Sequence, residues 1–227
     1  MRTKDEHPGR NRHLLVPAVV IGGTLVVAAV LVAFSLRRAP LETYPPTTPF
    51  PVEVGDQRVD RLYTIDASGT ALWAAFDFSR GSMVPLDDPD GWDIAFRRFN
   101  VMTNGGSGFS GRAGLVDLGV VAFDSVKEAP ESGYAASRTA SDSTNAAAAR
   151  WYDYGFTSHI LEPKGNVYAV RTADGRYAKL RFESYYCPGA RPGCFTFRYV
   201  YQGDGSRDVA TPAAGPDAAG PETDPAG

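Results

Sequence analysis

Only a few side chains in this 227-residue chain have the type and spacing for chemistry. His159 follows Trp151-Tyr152-Asp153-Tyr154-Gly155-Phe156-Thr157-Ser158 and precedes a Pro163-Lys164-Gly165 turn. A lone histidine among aromatic residues is more often packed and hydrogen-bonded than metal-bound. The functional alternative is an axial ligand to haem iron, with the aromatic side chains covering the macrocycle. Met102 or Met83 could then supply a second axial ligand, although filling a core is the commoner use of methionine. His7 and His13 stand before the apolar run described below, on its far side from this site.

Other patterns carry less. Gly106-Ser107-Gly108-Phe109-Ser110-Gly111 fits the glycine string of a dinucleotide loop. That string needs a helix behind it, and Arg112-Ala113-Gly114-Leu115 is too glycine-rich to start one, so a Gly-rich loop is the reading. Asp87, Asp88, Asp90 and Asp93 surround Pro89-Gly91-Trp92 without the spacing of a calcium loop, and suit a turn. There is no G-x-S-x-G elbow, and one histidine after the apolar run is no sign of a triad. A pair of carboxylates close only in space would leave no trace in sequence. A binding protein, not an enzyme, is therefore expected.

Cys187 and Cys194 flank Pro-Gly-Ala-Arg-Pro-Gly, a hairpin loop between two predicted strands. Facing hairpin positions come close enough for a disulfide, whereas two thiolates without a third Cys or a His make an incomplete metal site. A structural disulfide is expected, and with it an oxidising compartment.

The elements that must carry these residues follow from pattern. A net charge of −3 with 22% charged residues excludes a broadly basic nucleic-acid binder. Residues 14–36 read LLVPAVVIGGTLVVAAVLVAFSL, free of charge and long enough as a helix to cross a ~30 Å hydrocarbon core. A cleaved signal peptide would have a shorter apolar run and a small-x-small site; here Arg37-Arg38-Ala39-Pro40 follows, and no cysteine is there to take a lipid. An uncleaved transmembrane anchor is expected. Arg2, Lys4, Arg10 and Arg12 before it outweigh Arg37 and Arg38 behind it, so residues 1–13 face the cytoplasm and the rest faces the periplasm or exterior.

Residues 37–55, with five prolines from Pro40 to Pro51, read as a semi-stiff spacer, and 207–227 as a disordered Ala/Pro/Gly/Asp tail. Between them, 56–206 is long enough for one domain. Its apolar period is two. Ala178, Leu180 and Phe182 alternate with Lys179, Arg181 and Glu183, and Phe195, Phe197, Tyr199 and Tyr201 with Thr196, Arg198, Val200 and Gln202, one face dry and one wet. The spans 72–78 and 92–101 read as strands, and 167–171 and 176–177 as strands joined through Gly175. One short helix is expected at 146–149, capped by Asn145. The class is all-β with mostly antiparallel sheets, preceded by one transmembrane helix.

Three stretches carry a family likeness. They are Leu62-Tyr63-Thr64-Ile65-Asp66 leading to Ala75-Phe76-Asp77-Phe78, the block Trp92-Asp93-Ile94-Ala95-Phe96-Arg97-Arg98-Phe99, and the ordered C-terminal hairpins from Val167 to Tyr201. Together they resemble the HmuY-like family of bacterial haem-binding proteins across nearly all of 56–202. The resemblance implies an all-β extracytoplasmic fold and haem capture through two histidines. One of those histidines would fall within 113–149, which holds neither His nor Met, while His159 is an offset counterpart of the other. Bis-histidine ligation is thus closed to this domain, leaving His–Met ligation through Met102, single ligation by His159, or no haem. The family is usually lipid-anchored, where this chain has an apolar run. A haem or porphyrin binder is the leading expectation. The alternative is a ligand-free envelope module contacting proteins or glycans.

Overall fold

The computed structural model describes residues 12–36 (side chains at Pro17 and 19–33), 41–138 and 144–213. The expected cytoplasmic tail, apart from its last two residues, and most of the expected C-terminal tail lie outside them. The chain divides into two compact units, Met1–Pro40 and Leu41–Gly227. The first contains the helix α1, Arg12–Leu36, with Pro17 in its early turns. Its described apolar side chains, 19–33, cover ~22 Å at 1.5 Å per residue. Among the described residues no helix is long and apolar enough to cross a membrane.

The second unit is antiparallel β throughout its named strands. In chain order these are β1 (Arg58–Asp66), β2 (Ala74–Asp77), β3 (Ser82–Val84), β4 (Ile94–Arg97), β5 (Asn100–Thr103), β6 (Gly114–Asp117), β7 (Tyr152–Tyr154), β8 (Leu161–Pro163), β9 (Val167–Arg171), β10 (Tyr177–Cys187) and β11 (Arg191–Gln202). They form a five-stranded sheet β1-β11-β10-β9-β6, a four-stranded sheet β3-β2-β4-β5 and the hairpin β7-β8. The two larger sheets close on an aromatic core. Phe76 of the smaller sheet meets Phe197 of the larger edge to face at a ring distance of 5.2 Å, and Phe96 stacks on the same ring at 5.6 Å.

The period-two reading places the inner face correctly, since Ala178, Leu180, Phe182, Phe195, Phe197, Tyr199 and Tyr201 all lie in that core. The other face is not wet. Lys179, Val200 and Gln202 are buried there, because Phe123 and residues 208–211 lie across it, and Thr196 is buried beside Thr64 and Ser184, which bond to the stretch 42–47. Lys179 donates to the carbonyls of Phe123 and Val126 and to the Thr211 hydroxyl, which makes its burial tolerable.

Three further expectations need correction. The stretch 92–101 is two strands, because Arg98 takes a left-handed φ of 54° and turns the chain, its N–H donating to the Ala67 carbonyl. Residues 146–150 form turns instead of a helix, although Asn145 does cap them through the Ala147 N–H. The proline-rich stretch from 41 onward is fastened to the β unit: Thr47 and Val54 donate backbone N–H groups to Thr64 and Ser79, and Ser184 donates to the Glu42 carbonyl. The compact unit therefore begins at Leu41 instead of residue 56, and 207–211 is part of it.

The Cys187–Cys194 disulfide is present, with Cα atoms 5.0 Å apart. The cysteines are not facing partners. Cys187 pairs with Arg191 and Cys194 with Asp66 of β1, the β10–β11 ladder being shifted by bulges on either side of Ser184. A cross-link over so short a loop stabilises by about 2.5 kcal/mol in the chain-entropy picture.

Candidate functional site

His159 stands in the turn of the β7–β8 hairpin, where Tyr154 pairs with Leu161. Gly155 and Ile160 close the turn through an N–H to carbonyl bond of 2.8 Å, and His159 donates its N–H to the Gly155 carbonyl at 2.7 Å. The histidine itself takes a left-handed φ of 56°. Such a conformation in a residue other than glycine holds only where surrounding bonds impose it. Trp151 provides the root of the hairpin. It is buried against Phe182, Tyr185 and Phe195, and its indole N–H donates to the Phe99 carbonyl. On the other arm, Leu161 donates its N–H to the Tyr186 hydroxyl.

The imidazole is exposed and its Nδ1 is hydrogen-bonded to the Tyr154 hydroxyl. With Nδ1 engaged, Nε2 is the nitrogen left for a further partner, the arrangement in which an imidazole is held in one orientation for a metal. Tyr154 lies against it, and Tyr154 and Phe156 of the same hairpin remain 51% and 84% exposed, an unusual display of aromatic surface.

Met102 does not meet it. On β5 the side chains alternate: Val101 enters the main core, on which Tyr152, Ile160 and Leu161 of the hairpin region also pack. Met102 points to the opposite face, with Ala75, Val84, Trp92 and Ala95. The four-stranded sheet lies between the sulfur and the hairpin, so the His159–Met102 pair expected from sequence is not assembled. Met83 packs on the main core. Met102 instead helps line an apolar cavity of about 430 Å³ whose described lining contains no histidine.

The acidic cluster divides: Asp90 and Asp93 line one polar cavity, and Asp88 does not. The Asp88 carboxylate accepts the Asp90 N–H within its own loop. Asp93, 5% exposed, accepts N–H bonds from Phe78 at 2.8 Å and from Ala173 at 2.7 Å, tying the small sheet to the β9–β10 turn. Burial, then the neighbouring Asp77 carboxylate, pushes its carboxyl up to about 8. A carboxyl raised by folding contributes stability that is complete below its unfolded value near 4 and is lost as pH rises through 8. The melting temperature should accordingly fall between pH 5 and pH 8. Asp93→Asn should flatten that slope and lower stability by about 1–3 kcal/mol at pH 5, since one backbone N–H then faces an amide instead of an acceptor. Thermal melts at the two pH values test this; an unchanged slope in the variant would assign it elsewhere. Sequence reading treated Asp93 as one more turn aspartate, as nothing local distinguishes it.

A family model for the HmuY protein matches residues 70–199, more than half of the chain. The chain belongs to the HmuY family. Its fold is similar to that of the apo HmuY analogue of Tannerella forsythia, with a TM-score of 0.53 and 17% identity over 66% of this chain and 99% of that one. A candidate lipoprotein of Bacteroides fragilis gives 0.52 at 20% identity, covering 67% and 93%. A candidate HmuY-like haem-binding protein of Bacteroides vulgatus gives 0.50 at 22% identity, covering 66% and 98%. At these identities the structures speak for the fold. No curated protein matches the chain.

Proposed function

We propose that this HmuY-family chain is an extracytoplasmic, membrane-tethered binding protein that takes haem or a porphyrin at the β7–β8 turn, with His159 as the single protein ligand to iron. The observation that carries this reading is the exposed imidazole whose Nδ1 is engaged by Tyr154, on a hairpin that also leaves the rings of Tyr154 and Phe156 uncovered. Haem bound there would supply an iron able to accept one imidazole nitrogen, and haem or a metal-free porphyrin would cover aromatic surface. Tyr154 orients the ring, and the hairpin fastened by Trp151 presents it. No second axial ligand from this chain is part of the proposal.

Hemin titrated into the full chain should give a sharpened, shifted Soret band. His159→Ala should abolish the band and weaken binding by at least about tenfold, the loss of one good ligand bond. Tyr154→Phe should weaken it less. An unchanged spectrum in wild type ends the reading in favour of the ligand-free module.

The tether rests on the uncharged run 14–36 and the placement on the disulfide, which suits an oxidising compartment. The protein should stay with membranes after alkaline carbonate extraction, and replacing Val26 and Val27 by arginine should release it. Extraction of the wild type into the soluble fraction would count against the tether.

A further inference from the structure

The outer face of the four-stranded sheet has a site of its own. Strand register places Val84, Ala75, Ala95 and Met102 in one row across β3, β2, β4 and β5. Two alanines in the middle of a row leave room above the sheet, and large side chains lean over it: Trp92, Met102 and the partly buried Trp73 and Phe109. They line an open cleft of about 430 Å³, together with Leu86 and Pro89. Its walls are fastened before any ligand arrives. Asn104 donates its amide to the carbonyls of Pro89 and Trp92, and Ser110 donates to the Pro89 carbonyl, which joins the two loops that bound the cavity. Volume, aromatic lining and preformed walls are those of a small-molecule site.

The charges nearby choose among ligands. Among the described residues, none that lines the cavity is charged. Asp88 is folded onto its own loop, and Asp90 lines a separate polar cavity with Asp77 and Asp93. Arg97, on the same face as Ala95, lays its guanidinium 4.5 Å from the ring centre of Trp73, and no carboxylate pairs with it among the described residues. Arg97 does not itself line the cavity; stacked on Trp73, one of the wall residues, it has its in-plane donors available for an anion.

We propose that this cavity binds one small planar aromatic carboxylate, its rings between Trp92, Phe109 and Met102 and its acid group against Arg97. The site is on the other face of the sheet from the β7–β8 hairpin and does not depend on the haem reading.

Calorimetric titration of the full chain in nanodiscs, with empty discs as blank, tests it using 2-naphthoate and 2-naphthamide as probes. The acid should bind at micromolar concentration and at least about tenfold more tightly than the amide, the usual worth of a charge-assisted bond. Arg97→Gln should remove that difference while leaving amide binding in place, and Ser110→Phe, at the exposed rim, should block both. His159→Ala should leave both titrations as in wild type. Absence of saturable heat from either probe at millimolar concentration would overturn the site. Equal affinity of the wild type for acid and amide, a comparison that requires no variant, would overturn the carboxylate assignment.

Discussion

Raising the pH from 10 to 12 is expected to unfold the β unit in one cooperative step. Tyr185, Tyr199 and Tyr201 are 2%, 0% and 0% exposed, and burial pushes each hydroxyl up to about 12. For Tyr201 the neighbouring Arg176 guanidinium, which donates to its oxygen, opposes that shift without cancelling it. Tyr168 is pushed up by the same cause, and its buried oxygen has no hydrogen-bond partner among the described residues. An unfolded chain releases these protons near pH 10, so the folded state holds more protons between 10 and 12 and loses stability through that window. Two pH units correspond to about 2.7 kcal/mol for each of the three buried rings. Their sum approaches the whole stability of an ordinary domain, about 5–15 kcal/mol. Lys179 works the other way: burial lowers its ammonium to about 8, so stability gains from pH 8 to 10.5 by an amount comparable to one tyrosine's loss, before the tyrosines together take over. Tyrosinate absorbance and far-UV circular dichroism should change together at a midpoint above pH 10. Tyrosines that ionise one by one near pH 10 with the dichroism intact would refute the account.

Trp151→Ala is expected to cost about 3–5 kcal/mol, the range for removing a large buried aromatic ring. Trp151 is 1% exposed and its ring centre lies 4.9–5.5 Å from those of Phe195, Phe182 and Tyr185. At about 2–4 °C per kcal/mol for a unit of this size, the melting temperature should fall by roughly 10–15 °C. The effect should reach the candidate site. Trp151 fixes the start of β7 through its bond to the Phe99 carbonyl, and its own carbonyl accepts the Lys164 N–H beyond β8. Losing it frees both ends of the hairpin that presents His159, so hemin affinity should fall even at temperatures where the domain is folded. Trp151→Phe keeps the packing and loses the donor, at a cost of about 1 kcal/mol. Melts and hemin titrations of the two variants separate packing from positioning. Wild-type hemin affinity in folded Trp151→Ala would mean the hairpin does not depend on this root.

Much of the architecture was written locally. Period-two stretches in β10 and β11 declared which side chains face the core, because a strand alternates its side chains whatever its partners are. Gly175, with φ of 91°, declared the β9–β10 turn, since few other residues accept that backbone. The β4–β5 turn was hidden for the converse reason. Arg97-Arg98-Phe99-Asn100 has no glycine, and Arg98 is held left-handed by the distant Ala67 carbonyl.

Burial on the second face of the large sheet was equally out of sight. Whether Lys179 is wet depends on Phe123 and Val126, more than fifty residues earlier in the chain. The same holds for Asp93, whose partners Phe78 and Ala173 come from opposite sides of it in sequence.

By itself, the sequence determined the antiparallel strands, the disulfide partners, the apolar run at the N-terminus and the one histidine available to the domain. Each of these depends on residue type and local period, and neither changes when the chain folds. Only the tertiary structure decided that Met102 and His159 face away from each other across a sheet, that Trp73, Trp92 and Phe109 line one cleft, and that the proline-rich stretch lies on the domain. Those are relations between segments far apart in the chain, set by strand order and by which face of a sheet another segment covers, and no window of sequence contains them.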